Sequence, residues 1–278
     1  MTRHPRIVVR AATWNLFHGR DFPPDPALLT WRSRLLRATE TNATHTHVNR
    51  SLVDEFSAVV AGLPWDIALL QEAPPGWLRG LSRASAASGA SALTSRNWGH
   101  ALRALAARVN PNLMASGEGG SNQLLVRPPW RIAAIERLTI ARRPERRRML
   151  LARLRHPQAA VEIAVANLHA STGDRAEEVL AAAERAVEWS AGLPLLFGGD
   201  LNLRPARARN AFDLLESRFG LAPATGATSI DHLLVRGLHV VDAPRPLPPA
   251  EREVRDRRSG LALQLSDHSP VVATFEVE

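Results

Sequence analysis

The chain has no cysteine, no tyrosine and no lysine. Without cysteine there is neither a disulfide framework nor thiolate chemistry, and a reducing compartment is the natural setting. Without tyrosine, a catalytic phenol is excluded. Without lysine, all 35 basic residues are arginine, against 27 acidic ones, and the formal net charge is +8. No uncharged apolar run is long enough to span a bilayer. The start, MTRHPRIVVRAATW, is basic but lacks the apolar stretch of a signal peptide. A cytoplasmic, monomeric protein is expected.

What is present fits a globular chain. Residues in the hydrophobic class make up 45% of 278, enough for one large core. A single domain over 1–278 is expected, because polar clusters of one kind are spread from end to end. Arginine suits planar, bidentate contact with phosphate. One dense basic stretch holds Arg142, Arg143, Arg146, Arg147, Arg148, Arg153 and Arg155; another holds Arg252, Arg255, Arg257 and Arg258. Either they form a footprint for a polyanion or they are solvated surface.

Period-two runs predict strands at 7–14, 65–70, 123–126, 132–140, 149–155, 161–167, 195–197, 230–235, 238–241 and 271–277. Helical spacing marks 27–40, 51–61, 98–109, 174–191 and 207–219, with Asp25 placed to cap a helix near Pro26. The segment ETNATHTHVN reads as a loop with solvated His45 and His47. The small residues of 82–95 read as a flexible insertion, and 243–260 as a Pro- and Arg-rich loop. Trp14, Trp65 and Trp130 lie in strands and belong to the core. Strands and helices without regular alternation predict an α+β layered protein.

Six polar clusters end or interrupt these apolar runs: Asn15 in ATWNLFHG, Glu72 in LLQEAP, Asn167 and His169 in VANLHAST, Asp200 and Asn202 in LLFGGDLNLRP, Asp231 in SIDHLLV, and Asp267 with His268 in LSDHSPVV. Polar groups at strand ends make poor core and good sites. Together they would form a carboxylate-rich pocket with two imidazoles, suited to a hard divalent cation and a phosphate ester. The glycines before Asp200 permit close backbone approach. An Asx turn is the alternative role for Asp200; Asp-x-Asn on an extended segment would instead put two polar groups on one face.

In this order, N, E, N-x-H, G-D-x-N, I-D-H and S-D-H-x-P resemble the endonuclease/exonuclease/phosphatase superfamily, the deoxyribonuclease-I-like metal-dependent phosphoesterases, from about Thr13 to Phe275. The resemblance implies a four-layer α/β/β/α sandwich, two mixed β-sheets face to face with helices outside and the site at one edge. It implies Mg²⁺, with Mn²⁺ able to substitute, held by Glu72, Asn15 and Asp267. It implies that Asp200 orients or deprotonates water, that Asn202 contacts the phosphate or that water, that His169 acts as general acid or phosphate ligand, and that Asp231 holds His268, which stabilises transition-state charge. Asn167 would touch substrate, and Asn122 would either touch phosphate or close a turn. His169 in N-x-H resembles the nuclease, phosphatase and sphingomyelinase branches, whereas the abasic-site branch resembles a pattern with a tyrosine. The net charge favours a nuclease acting on DNA or RNA. The other enzyme reading is a phosphatase or phosphodiesterase on a small or lipid phosphate, and the reading of another class is an inactive polyanion-binding module.

Overall fold

Alternation along each strand decides the layers. In the first strand Val9 and Ala11 belong to one buried cluster, while Ala12 and Trp14 belong to another on the opposite face. A strand with two apolar faces must be covered on both. In a computed structural model, which describes residues 6–94, 106, 110–111, 120–142, 146–173 and 175–277, the strands in chain order are β1 (Ile7–Asn15), β2 (Glu40–Thr41), β3 (Thr46–His47), β4 (Ile67–Ala73), β5 (Ser88–Leu93), β6 (Ser121–Val126), β7 (Arg131–Ala141), β8 (Arg147–His156), β9 (Val161–His169), β10 (Leu195–Asp200), β11 (Asp231–Arg236), β12 (His239–Pro246), β13 (Glu253–Arg255), β14 (Ala262–Gln264) and β15 (Val271–Val277). The described helices are α1 (Trp31–Leu36), α2 (Val53–Gly62), α3 (Leu78–Ala84), α4 (Ala176–Ser190) and α5 (Arg209–Phe219).

Six strands form one sheet in the order β12-β15-β1-β4-β6-β5, and five form a second in the order β11-β10-β9-β8-β7. Both are mixed: β1 pairs parallel with β4 and antiparallel with β15, and β10 pairs parallel with β9 and antiparallel with β11. Between the sheets, Val9, Leu69 and Phe275 meet Leu154, Val165 and Leu196. Behind the six-stranded sheet, Phe56, Val60 and Leu81 of α2 and α3 cover Trp14, Leu70 and Leu125. Behind the five-stranded sheet, Val179, Ala183, Leu215 and Phe219 of α4 and α5 cover Leu151, Ala166 and Phe197. These three apolar layers make the chain the expected α/β/β/α sandwich. No helix among the described residues is long and apolar enough to cross a membrane.

Several local expectations are corrected. Of the segment 82–95, the described residues 82–94 are no flexible insertion: α3 ends at Ala84, and Ser88–Leu93 is an edge strand paired with β6. Small residues suit it, because a Cβ on Gly89 would overlap Ser82 and Leu78 of the helix above. The predicted helix over 27–40 shrinks to a turn at Pro26–Leu28 and the six-residue α1. Asp25 does cap that turn, accepting from the Ala27 N–H. The segment expected to be a loop at 40–49 contains the β2–β3 hairpin, and its His47 is buried against Asp21 rather than solvated. The 243–260 loop contains the end of β12 and all of β13. Most of the helix expected at 98–109 lies outside the described residues. Trp14, Trp65 and Trp130 are core, as expected.

Candidate active site

Sheet register brings the polar clusters together. Asp200, the last residue of β10, pairs with His169 at the end of β9 and with Asp231 at the start of β11. Across the sandwich Asn15, the last residue of β1, donates through Nδ2 to Asp200 Oδ2 at 2.9 Å. Glu72 faces the same point from β4: His169 Nε2 lies 3.4 Å from Glu72 Oε1 and 3.6 Å from Asp200 Oδ2. His268 enters from the loop before β15. Its Nδ1 meets Asp231 Oδ2 at 2.7 Å, and its carbonyl accepts from the Trp14 indole at 2.9 Å.

Two backbone devices aim these groups. Gly199 sits at φ 127°, and a Cβ there would overlap the Leu168 carbonyl oxygen, so only glycine lets β10 lie this close to β9. In β4 the register slips by one residue between Leu70 and Ala73, with Glu72 at φ 48°. This bulge turns Glu72 out of the strand's alternation, and such left-handed backbone at a bulky residue is the kind of strain that collects at sites.

The two imidazoles have opposite partners. Arg147 Nη1 lies 2.9 Å from His169 Nδ1. A guanidinium can only donate, so His169 Nδ1 is the acceptor, and the ring proton sits on Nε2, facing Glu72 and Asp200. Burial lowers the His169 pKa to about 3; Glu72 opposes that shift and Arg147 adds to it, so the ring is neutral. Burial also opposes charge on His268, but the Asp231 carboxylate and its hydrogen bond, with Asp200 and Asp267, outweigh it and raise the pKa to about 10. The ring is cationic at neutral pH. Burial, then the Asp231 charge, push Asp200 up to about 7.

The donor set fits a hard divalent cation. Glu72, Asp200, Asp231 and Asp267 offer oxygens, and Asp231 Oδ1 is buried without a hydrogen-bond partner among the described residues. Ligand atoms of Asp200, Asp231 and His268 lie within 4.8 Å of one another. Since His268 is already held by Asp231, we read that trio as two carboxylates with a charge partner rather than a complete ligand set. Mg²⁺ prefers oxygen and keeps several waters. Added positive charge would offset the repulsion that raises Asp200.

The structure gathers Glu72, His169, Asp200, Asp231, Asp267 and His268 at one mouth, and places four amides differently from expectation. Asn15 presents Nδ2 to the carboxylates, because its Oδ1 accepts from the Phe17 N–H at 2.9 Å. Asn202 is left-handed (φ 51°), not extended; its N–H bonds Asp200 Oδ1 at 3.1 Å, an Asx turn, and its Nδ2 donates to the Ala170 carbonyl. Asn122 and Asn167 are fully buried between the sheets. Asn167 donates to the Leu70 and Gln123 carbonyls and accepts from Gln71, and Asn122 donates to the Arg148 carbonyl. They tie the sheets together behind the site. Sequence reading did not assign two further residues to the site. Arg147 carried only the signal of a basic run. His18, three residues after Asn15, has its Nε2 3.2 Å from Glu72 Oε2.

The sequence model of the Endonuclease/Exonuclease/phosphatase family matches residues 12–268. No curated protein matches the chain. Among solved structures, an endonuclease/exonuclease/phosphatase family protein of Bacteroides thetaiotaomicron superposes with TM-score 0.65 at 16% identity, covering 99% of this chain and 97% of that one. A mannosyl-6-phosphatase of the same organism gives 0.63 at 16%, covering 96% and 99%. D. rerio TDP2 complexed with a single-strand DNA product gives 0.54 at 14%, covering 96% and 98%. At such identities the superpositions show a shared fold, and the family match shows more: the chain belongs to the endonuclease/exonuclease/phosphatase family of phosphoester hydrolases.

Proposed function

We propose that the protein hydrolyses a phosphate ester by direct attack of water, with Mg²⁺ or Mn²⁺ held by Glu72, Asp267 and a strand carboxylate. One observation carries the reading: Asp200 stands between a neutral imidazole backed by an arginine and a cationic imidazole backed by a carboxylate. Asp200, with a pKa near neutrality, takes the proton of the attacking water. His268 donates to a non-bridging phosphoryl oxygen, where charge develops. His169 offers the same oxygens a neutral Nε2–H. The bound ion would supply Lewis-acid polarisation of the phosphoryl group.

For the substrate we favour a compact ester over nucleic acid. Part of the basic charge is used inside the fold. Arg147 serves His169, Arg153 stacks over Trp189, and Arg252 holds the Leu265 and Ser266 carbonyls. A nuclease is the second reading, favoured by the net charge of +8. Plasmid, single-stranded DNA, RNA and a panel of sugar, nucleotide and lipid phosphates, each assayed with Mg²⁺ and with EDTA, separate the two. Metal-dependent turnover lost in Asp200→Asn is the expected result. Turnover that survives EDTA or the variant would overturn the mechanism.

A further inference from the structure

The short helix α1 (Trp31–Leu36) is turned inside out. A surface helix normally buries an apolar stripe and shows polar groups to water. In α1 the one buried residue is Ser33, while Trp31 is 66% and Leu35 55% exposed. At about 100° per residue, Trp31 and Leu35 share the face opposite Ser33, with Arg32 and Arg34 on its two flanks. The apolar patch extends past this ridge. Phe22, Leu29 and Leu36 are exposed as well, whereas the other large exposed apolar side chains among the described residues are single residues of β1, β7, α5 and β12. Phe22 and Leu29 share a cavity wall with Phe17, Ser33 and Arg34, and Phe17 bonds Asn15, so the patch lies on the loop side of the site.

Polar contacts hold the helix in this orientation. Thr30 caps it, its hydroxyl accepting from the Ser33 N–H at 3.1 Å, and the Ser33 hydroxyl donates to the Thr30 carbonyl at 2.8 Å. Asn49 Nδ2 donates to the Ser33 and Arg34 carbonyls at 2.9 and 3.2 Å. The helix therefore keeps its place without burying Trp31 or Leu35. The charge around the ridge has one sign. No acidic residue lies between Asp25 and Glu40. Arg32, Arg34 and Arg37 are exposed and form no ion pair among the described residues.

A contiguous exposed apolar patch calls for a covering partner. A second copy would set these arginines against their own counterparts in a two-fold contact. A bilayer with anionic headgroups suits both parts of the surface: Trp and Leu side chains enter the interface, and the flanking arginines reach lipid phosphates. The net charge of +8 adds long-range attraction. We propose that the outer face of α1 docks the protein reversibly on an anionic lipid bilayer. This is an interaction surface and requires no reaction.

Co-sedimentation of the full chain with vesicles, at low salt and in EDTA, tests it. One set of vesicles is phosphatidylcholine alone; the other is an equimolar mixture of phosphatidylcholine and phosphatidylglycerol. Binding to the mixed vesicles should exceed binding to the neutral ones by about tenfold or more. Trp31→Ser combined with Leu35→Ser should weaken it by about tenfold or more, and Arg32→Gln combined with Arg34→Gln by about fivefold for each charge removed. All four side chains are exposed, so both double variants should keep the native melting temperature, and Trp31→Phe should retain most of the binding. No vesicle binding, equal binding to the two vesicle types, or binding untouched by the Trp31 and Leu35 substitutions would each overturn the proposal. Concentration-dependent dimerisation that the same pair of substitutions abolishes would overturn it too, by giving the face to a second copy. With neither metal nor substrate present, the outcome is independent of the phosphoesterase reading.

Discussion

The strand-borne wall of the site and its loop-borne wall are built on different terms. On the strand side His169, Asp200 and Asp231 are buried and locked by register to one another. On the loop side, residues 16–50 form short turns, a hairpin of two-residue strands and the short α1, which leaves Trp31 66% and Leu36 65% exposed. Proton transfer and charge stabilisation need groups fixed to a fraction of an ångström, which paired strands supply. Recognition tolerates, and often requires, irregular backbone. In the proposed function, the strand wall carries the chemistry and the loop wall is left to meet the substrate.

The sharpest way to break that division is Asp200→Asn. It should lower kcat by about 10²- to 10⁴-fold if Asp200 is the base, far beyond any effect of a loop substitution; a loss under tenfold would move the chemistry elsewhere. Next comes Gly199→Ala. Overlap with the Leu168 carbonyl should cost more than about 4 kcal/mol, whereas Gly226→Ala, in open space at φ 42°, should cost about 1–2 kcal/mol. Denaturant unfolding of both would test whether the strand wall is the rigid one.

The pH dependence follows from His268. Its folded pKa, about 10, lies above the ordinary value near 6.5. Its contribution to stability is therefore complete below about pH 6.5 and is lost as pH rises through 10. Asp200, raised from 3.8 to about 7, has the same sign at lower pH. The metal-free protein should melt at falling temperature from pH 7 to 10, and His268→Gln should flatten that slope; a flat native profile would remove the Asp231–His268 ion pair from the account. Arg147→Met should free the His169 tautomer and lower kcat by about 10- to 100-fold, with a changed ring-nitrogen NMR signature for His169. The smallest effect belongs to the loop wall: Leu36→Ser should alter stability by no more than about 0.5 kcal/mol.

Much of this was legible in the sequence, for identifiable reasons. Apolar alternation in IVVRAATW and VEIAVAN, and the spacing of Val179, Ala183 and Val187, expressed two-sided strands and a one-sided helix. Each cluster that ends a strand of the sandwich came to the same mouth. Ser88–Leu93 was hidden because small residues carry little pattern, although their size is what the overlying helix requires. His47 looked solvated in a polar run, and only its pairing with Asp21, 26 positions earlier, buries it. Asn122 and Asn167 looked like site amides because strand-end polarity does not say which face of a sheet the side chain takes.

The sequence by itself determined the layered fold, the family and the set of carboxylates and imidazoles, because these are written in periodicity and in the order of short motifs. The tertiary structure alone decided the charge states of His169 and His268. Each depends on whether Arg147 or Asp231 stands behind the ring, contacts made across 22 and 37 positions of chain. It also decided that Phe17, Arg20, Asp21 and Arg34 enclose a cavity beside the reacting groups. Buried neighbours set pKa values and enclosed volume through distance in space, which spacing along the chain does not encode.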